Sequence, residues 1–164
     1  MRQTFEEIWS GVASLLGLAV FVVVMWMIAK THARMWRRVS TRYGEREKLP
    51  SVAAKLETIV IAQRGALKPF DANAQYTTYA GTILSVAESG LRLSLVPIPP
   101  LNLMAPALFL PFDEMTLDRT SWALWPDPFA VRMKHLPDID IILGRKTVEW
   151  IRSRTDRSPF GWDI

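Results

Sequence analysis

Residues 8–29 read IWSGVASLLGLAVFVVVMWMIA, an apolar run with no charged residue between Glu7 and Lys30. At a rise of about 1.5 Å per residue, a helix of this length spans roughly 30 Å, which is the thickness of the hydrocarbon core of a bilayer. We therefore predict a transmembrane helix over residues 8–29.

The residues on either side of this run predict that it stays in the mature protein, and they also predict its orientation in the membrane. A signal peptide carries positive charge before its apolar segment and a small-residue cleavage site after it, whereas here the basic residues come afterwards. Because Lys and Arg mark the cytoplasmic side of membrane helices, we expect residues 1–7 outside and the rest of the chain after Lys30 in the cytoplasm. The predicted membrane-interface residues are Trp9, Trp26, Arg34, Trp36, Arg37, Arg38 and Tyr43.

Net charge and cysteine content exclude several classes of function. The chain carries 20 Lys or Arg against 16 Asp or Glu, a net charge of +4. Residues 1–50 hold eight basic and four acidic residues, and residues 51–164 hold twelve of each, so the excess lies beside the membrane. This distribution favours contact with anionic lipid over nucleic acid, which needs a basic face on the folded domain. The absence of cysteine excludes disulfides and thiolate chemistry.

Small residues recur at helical spacing on one side of the outer half of the predicted span. Such residues let a second helix approach closely, although they are also common in any membrane helix. We expect this face to pack against integral membrane subunits. Its members are Ser10, Ala13, Ser14 and Gly17.

Residues 30–50 are predicted to continue as a basic amphipathic helix and linker. An apolar stripe includes Trp36, Val39 and Tyr43, with arginines between its members, so the stripe is expected on the membrane surface or against a partner. Gly44 is the predicted stop. The pattern Trp36-x-x-Val39-x-x-x-Tyr43 after one span resembles small uncharacterised bacterial inner-membrane proteins that have a Trp-x-x-Leu-x-x-x-Tyr helix and a β-rich domain. The resemblance implies that the protein lies in a bacterial inner membrane, and it does not indicate any particular activity.

Residues 51–154 are predicted to form a cytoplasmic β-rich domain. Strands are expected at residues 57–63, 76–87, 91–96, 107–110, 114–121, 129–134 and 139–143, followed by a helix at 145–154. Alternation from Leu91 to Leu95 after Glu88-Ser89-Gly90 predicts a hairpin with a half-buried strand.

Two apolar segments stand outside these elements. The proline-rich loop before residue 107 could fill the core, dip into the membrane or contact a partner, and residues 155–164 form an aromatic tail. The residues expected to dock a partner are Leu101, Leu103, Met104, Phe160 and Trp162.

The element order over residues 56–154 resembles the PH-like or GRAM-like small barrel, with a Leu110-Pro111-Phe112-Asp113 step after a hairpin. The expected fold class is a single transmembrane helix plus a small mostly-β (α+β) domain, a PH-like split barrel of five to seven strands with a C-terminal helix. Arg64 and Lys68 alone are a thin basis for a phosphoinositide pocket.

The sequence contains no recognisable catalytic arrangement. No glycine-rich phosphate loop or serine-nucleophile motif occurs, and His32 and His135 lie far apart without ligand spacing. The alternation Asp138-Ile139-Asp140-Ile141 predicts both acids on a solvent face. We expect no enzyme activity, metal or cofactor. The leading hypothesis is a non-catalytic accessory subunit of an inner-membrane complex, and the alternative is a tethered PH-like module that binds lipid headgroups or a soluble protein.

Overall fold

The computed structural model describes residues 2–45, 50–64, 75–96, 105–120 and 125–155, with side chains described at 14–30 and 33–45 in the first range. Within these ranges the chain begins with one long helix and continues as a β domain that ends in a short helix. The elements are α1 (Arg2–Tyr43), β1 (Ala53–Gln63), β2 (Tyr76–Ala87), β3 (Gly90–Leu95), β4 (Leu108–Pro111), a 3-10 turn (Phe112–Glu114), β5 (Met115–Arg119), β6 (Phe129–Met133), β7 (Leu136–Leu143) and α2 (Arg145–Arg152).

All seven strands join one antiparallel sheet in the order β4-β3-β2-β1-β7-β6-β5. Two meanders, β1–β4 and β5–β7, are joined where β1 pairs with β7. The outermost strands β4 and β5 are separated in the chain only by the turn Phe112–Glu114, so the sheet must curl until its two ends approach each other there. The result is a curled half-barrel with a C-terminal helix, which confirms the mostly-β prediction.

The strand predictions agree closely with this sheet because local side-chain patterns specified them. The predicted strand at residues 76–87 has the bounds of β2, and Leu91 and Leu93 on β3 are buried, as the alternation requires. Gly90 is needed at the start of β3, because a Cβ there would lie 2.3 Å from the carbonyl oxygen of Leu110. The hairpin joining β2 and β3 is thus tight against β4.

The concave side of the half-barrel contains the main apolar core. Its strands contribute alternate residues, including Ile59, Leu84 and Ile141. Residues from α1 and α2 pack against these strand residues and complete the same core. The helical members are Met35, Trp36, Val39 and Tyr43 from α1 and Val148 and Ile151 from α2.

A polar cluster at the base of β1 holds α2 in place. The Glu57 carboxylate accepts a hydrogen bond from the Thr147 hydroxyl and lies 2.7 Å from the Lys55 ammonium. That ammonium also lies 5.4 Å from the centre of the Trp150 ring. Burial alone would raise the pKa of Glu57, but hydrogen bonds from Lys55, Thr147 and the Thr58 N–H outweigh it, and the pKa is lowered.

The convex side of the sheet is covered in one region, and this corrects the prediction for Asp140. Only 1% of Asp140 is exposed. Its carboxylate lies 3.3 Å from Arg132 Nε and 3.6 Å from Arg64 Nε. Strand alternation predicts which face a side chain takes but not whether that face is covered. The apolar residues buried on this side are Val60, Ala62, Ala130 and Ile142.

Candidate membrane and partner interface

Residues 15–28 of α1 are apolar on every side of the helix, and most of their side chains are exposed. Its large apolar side chains keep between 45% and 69% of their surface accessible, and none belongs to the domain core. A helix that is apolar all round is suited to the interior of a large protein or of a membrane. The exposed residues are Leu15, Leu16, Leu18, Val20, Phe21, Val22, Val23, Val24, Trp26, Met27 and Ile28.

Among the described residues, no single helix is both long and apolar enough to cross a bilayer by itself. The segments Ser14–Lys30 and Ala33–Tyr43, bent by 44° relative to each other, reach that length and composition together. The two segments differ in their surroundings, since the second packs on the sheet and the first contributes nothing to the core.

The hydroxyl of Tyr79 on β2 contacts the backbone of the second segment. The Trp36 N–H donates to Tyr79 Oη at 2.9 Å, a buried bond between residues 43 positions apart. Burial raises the pKa of Tyr79 to about 12, so its hydroxyl is neutral at physiological pH.

The structure corrects the prediction that placed Trp36 and Tyr43 at the membrane interface. Trp36 has no exposed surface and Tyr43 is buried. The Trp36 indole donates to the Pro106 carbonyl at 2.8 Å, and its ring meets the Tyr79 ring edge-on at a centroid distance of 5.1 Å. The apolar stripe of the second segment therefore lies against the half-barrel of its own chain and not on lipid.

The end of α1 is also joined to strand β4. Helix α1 ends at Tyr43, as Gly44 predicted, and Gly44 forms a bridge with Leu108. The Glu45 N–H donates to the Ala107 carbonyl at 2.8 Å. The Arg92 Nε–H donates a bifurcated hydrogen bond to both oxygens of the Glu45 carboxylate, at 2.7 and 2.8 Å. These bonds hold the helix end in one position on the sheet.

A polar cluster lies where the two ends of the sheet approach each other. Tyr43 Oη donates to Glu114 Oε2 at 2.7 Å and accepts from the His135 N–H at 3.4 Å. Burial and the bond to Glu114 raise the pKa of Tyr43 to about 12. His135 Nε2 lies 3.7 Å from the same carboxylate oxygen. The cluster fixes α1 at this corner.

The second segment of α1 carries four arginines, and all four are exposed. Arg34, Arg37 and Arg42 are exposed, and in the described part of the chain none of them forms an ion pair. Arg38 pairs with Asp138 on β7. At the end of the apolar segment, Lys30 Nζ lies 4.9 Å from the centre of the exposed Trp26 ring. Positive charge therefore begins where the apolar segment ends.

The small-residue face is only partly described. Ser14 and Gly17 are exposed, and a Cβ added at Gly17 would meet no atom within 4 Å. A partner helix at this face stays a prediction. The side chains of Trp9, Ser10 and Ala13, and the docking residues Leu101, Leu103, Met104, Phe160 and Trp162, lie outside the described residues.

The described residues contain little that points to catalysis. They include no group of three or more potential metal ligands. A pocket of about 90 Å³ lies beside the start of α2, well below the volume that ligands of drug size occupy. Its Arg145 is already paired with Asp127 and Glu149, at 3.4 and 2.8 Å. The pocket is lined by Arg119, Thr120, Asp127, Pro128, Phe129 and Arg145.

No family model matches the chain, and no curated protein is significantly similar to it.

The sequence does not predict the role of the residues that attach α1 to the sheet, which are Tyr79, Glu45 and Arg92. No local signal could have identified them, because their partners are 43 to 47 positions away.

Proposed function

We propose that this protein is a non-catalytic, single-pass accessory subunit of a bacterial inner-membrane complex. In this proposal residues 8–29 span the membrane with the N-terminus outside, and the β domain lies on the cytoplasmic side against neighbouring subunits. Photosynthetic and respiratory assemblies are natural hosts for subunits of this kind.

The observation that carries the proposal is the exposure of residues 15–28 of α1. Eleven large apolar side chains between Leu15 and Ile28 are exposed, and a contiguous apolar surface of this kind marks a membrane or protein contact. The transition to Lys30, Arg34 and Arg37 agrees with the positive-inside rule. The exposed arginines are suited to bind anionic lipid phosphates.

The joint between helix and domain supports a structural role. A subunit that bridges neighbours must transmit position from its span to its domain without a flexible linker. Here α1 enters the core through Trp36 and ends in the bonds of Glu45 to Arg92 and Ala107. The domain therefore has one orientation relative to Ala33–Tyr43.

The proposal is tested by extracting native membranes with mild detergent and separating the complexes on a native gel. Mass spectrometry of the co-migrating bands identifies the neighbours. We expect the 18.7 kDa chain within a larger, defined assembly. Migration as a free protein would contradict the accessory-subunit proposal.

The orientation is tested separately with single cysteines, which are unambiguous because the chain has none. In spheroplasts, a membrane-impermeant maleimide should label Thr4→Cys directly and Ser153→Cys only after lysis. Equal labelling of both variants before lysis would refute the span. Labelling of Ser153→Cys before lysis and of Thr4→Cys only afterwards would show that the orientation is the opposite of the one proposed.

A second candidate function is a membrane-tethered PH-like module. It is favoured by the arrangement of a four-stranded and a three-stranded meander followed by a helix. The full-length protein in lipid nanodiscs should then bind soluble phosphoinositide headgroups, and headgroup titration by calorimetry would reveal it. An accessory subunit would give no heat of binding.

A further inference from the structure

The two edges of the sheet differ in how they are finished. The edge of β4 is covered by the end of α1, because Gly44 bridges Leu108 and the Glu45 N–H bonds to Ala107. At the other end of the sheet, β5 pairs with β6 and with no other strand that the structure describes. Edge strands with free backbone groups are templates for pairing with another chain.

The alternation of hydrogen bonds along β5 shows which of its peptide groups face β6 and which point away from it. The Lys134 N–H donates to the Glu114 carbonyl at 2.8 Å, and the Thr120 N–H donates to the Pro128 carbonyl at 3.1 Å. In an antiparallel pair such bonds involve every second residue, so Thr116 and Asp118 also face β6. The peptide groups of the alternate residues Leu117 and Arg119 point away from it.

These outward groups lack protein partners in the ranges the structure describes. No hydrogen bond there involves the N–H or C=O of Leu117 or Arg119, whereas the Met115 N–H donates to the Phe112 carbonyl. Leu117 is half-buried and packs against the core, so its peptide groups lie at the margin of an apolar surface. Pairing with another strand would satisfy them.

The charges on β5 allow a second copy of this chain to pair in one symmetric register, because that register places no like charges opposite each other. We propose that two copies pair through antiparallel β5 strands centred on Leu117, which extends the sheet across the dimer. In this register Thr116 lies opposite Asp118 of the partner subunit, and Met115 lies opposite Arg119 of the partner subunit. No like charges face each other.

The neighbouring symmetric registers are disfavoured by like charges directly opposite one another. Centring on Thr116 would place Glu114 against Asp118 of the partner subunit. Centring on Asp118 would place the two Asp118 carboxylates together, and centring on Arg119 would oppose the two guanidinium groups. The self-pairing proposal does not depend on the membrane span, so it can fail or hold independently of the function proposed above.

Cysteine cross-linking tests both the pairing and its register in the full-length protein. Across a hydrogen-bonded antiparallel pair the Cα atoms lie about 5.5 Å apart, within disulfide range. Oxidation of Leu117→Cys should therefore give a covalent dimer. Arg119→Cys on the same strand should stay monomeric, because the two copies of residue 119 would lie about 13 Å apart along the pair. Cross-linking of both variants, or of Arg119→Cys alone, would overturn the register.

Hydrogen exchange of the unmodified protein covers the case in which Leu117→Cys fails to fold. The amides of Leu117 and Arg119 should exchange about tenfold more slowly in concentrated protein than after dilution, while those of Thr116 and Asp118 stay protected throughout. Rapid exchange of Leu117 and Arg119 at all concentrations would overturn the dimer. Protection at every concentration, or only in native membranes, would overturn it in favour of a strand from this chain or from another protein.

Discussion

The backbone N–H of Trp36 donates to the side-chain hydroxyl of Tyr79, 43 residues away, at 2.9 Å. This bond joins the segment Ala33–Tyr43 of α1 to the second strand of the sheet, and the rings of Trp36 and Tyr79 contact each other edge-on at 60°. The helix that leaves the apolar segment is thereby an integral part of the domain core.

Tyr79→Phe should destabilise the domain by about 1–2 kcal/mol. Phe keeps the ring contact but leaves the buried Trp36 N–H without its acceptor. Urea unfolding of the full-length protein in mild detergent, monitored by circular dichroism, measures the change in the free energy of unfolding. The matched control is Tyr76→Phe, because Tyr76 is half exposed, and its effect should stay below about 0.5 kcal/mol. Equal midpoints for the two variants would show that the hydroxyl bond is not needed.

Two tryptophans on the same helix should differ in how much the free energy of unfolding falls when the indole is removed. Trp36→Leu should cost about 3 kcal/mol or more in the free energy of unfolding, because Trp36 is fully buried and loses its bond to Pro106. Trp26→Leu should leave that free energy nearly unchanged, because 60% of Trp26 is exposed. The unfolding curves compare them directly, and a large loss with Trp26→Leu alone would contradict the observed core.

Glu57→Gln should weaken the attachment of α2 in a pH-dependent manner. The pKa of Glu57 is lowered from its ordinary value of 4.5, so the carboxylate stabilises the fold fully above that pH. The stabilisation is lost as the pH falls through the lower pKa of the folded state. We expect a deficit of about 1 kcal/mol relative to wild type at pH 7, which shrinks below pH 4.5. Unfolding curves at pH 3, 4, 5 and 7 measure it, and a constant deficit would exclude the carboxylate charge as its source.

Gly17→Leu should weaken co-purification with neighbouring membrane subunits while leaving membrane insertion intact. The structure makes this substitution a clean probe, because an added side chain meets nothing within 4 Å in this chain. Any loss must then come from a neighbour that approaches the small-residue face. Val22→Leu, at an exposed apolar position of the same helix, is the control. Undiminished co-purification of Gly17→Leu would show that this face is not the contact.

Most elements of the β domain could be predicted because their signals are local. Tyr76–Ala87 is rich in β-branched residues and ends in a glycine turn, and the strand follows those limits. The stripe of Trp36 and Tyr43 was assigned to the membrane because helical periodicity shows only that one face is apolar. It does not show whether lipid or a sheet covers that face. Asp140 was misplaced for the same reason, on a strand.

The sequence by itself determined the apolar run of residues 8–29, the basic segment after it, and the order of short strands with a final helix. Each of these depends on residue type and spacing within a few positions. Only the tertiary structure decided that α1 completes the domain core, that Glu45 pairs with Arg92, and that α1 covers β4 while the outer edge of β5 has no partner among the described residues. These features depend on which distant segments meet when the sheet curls, and no local pattern specifies such pairs.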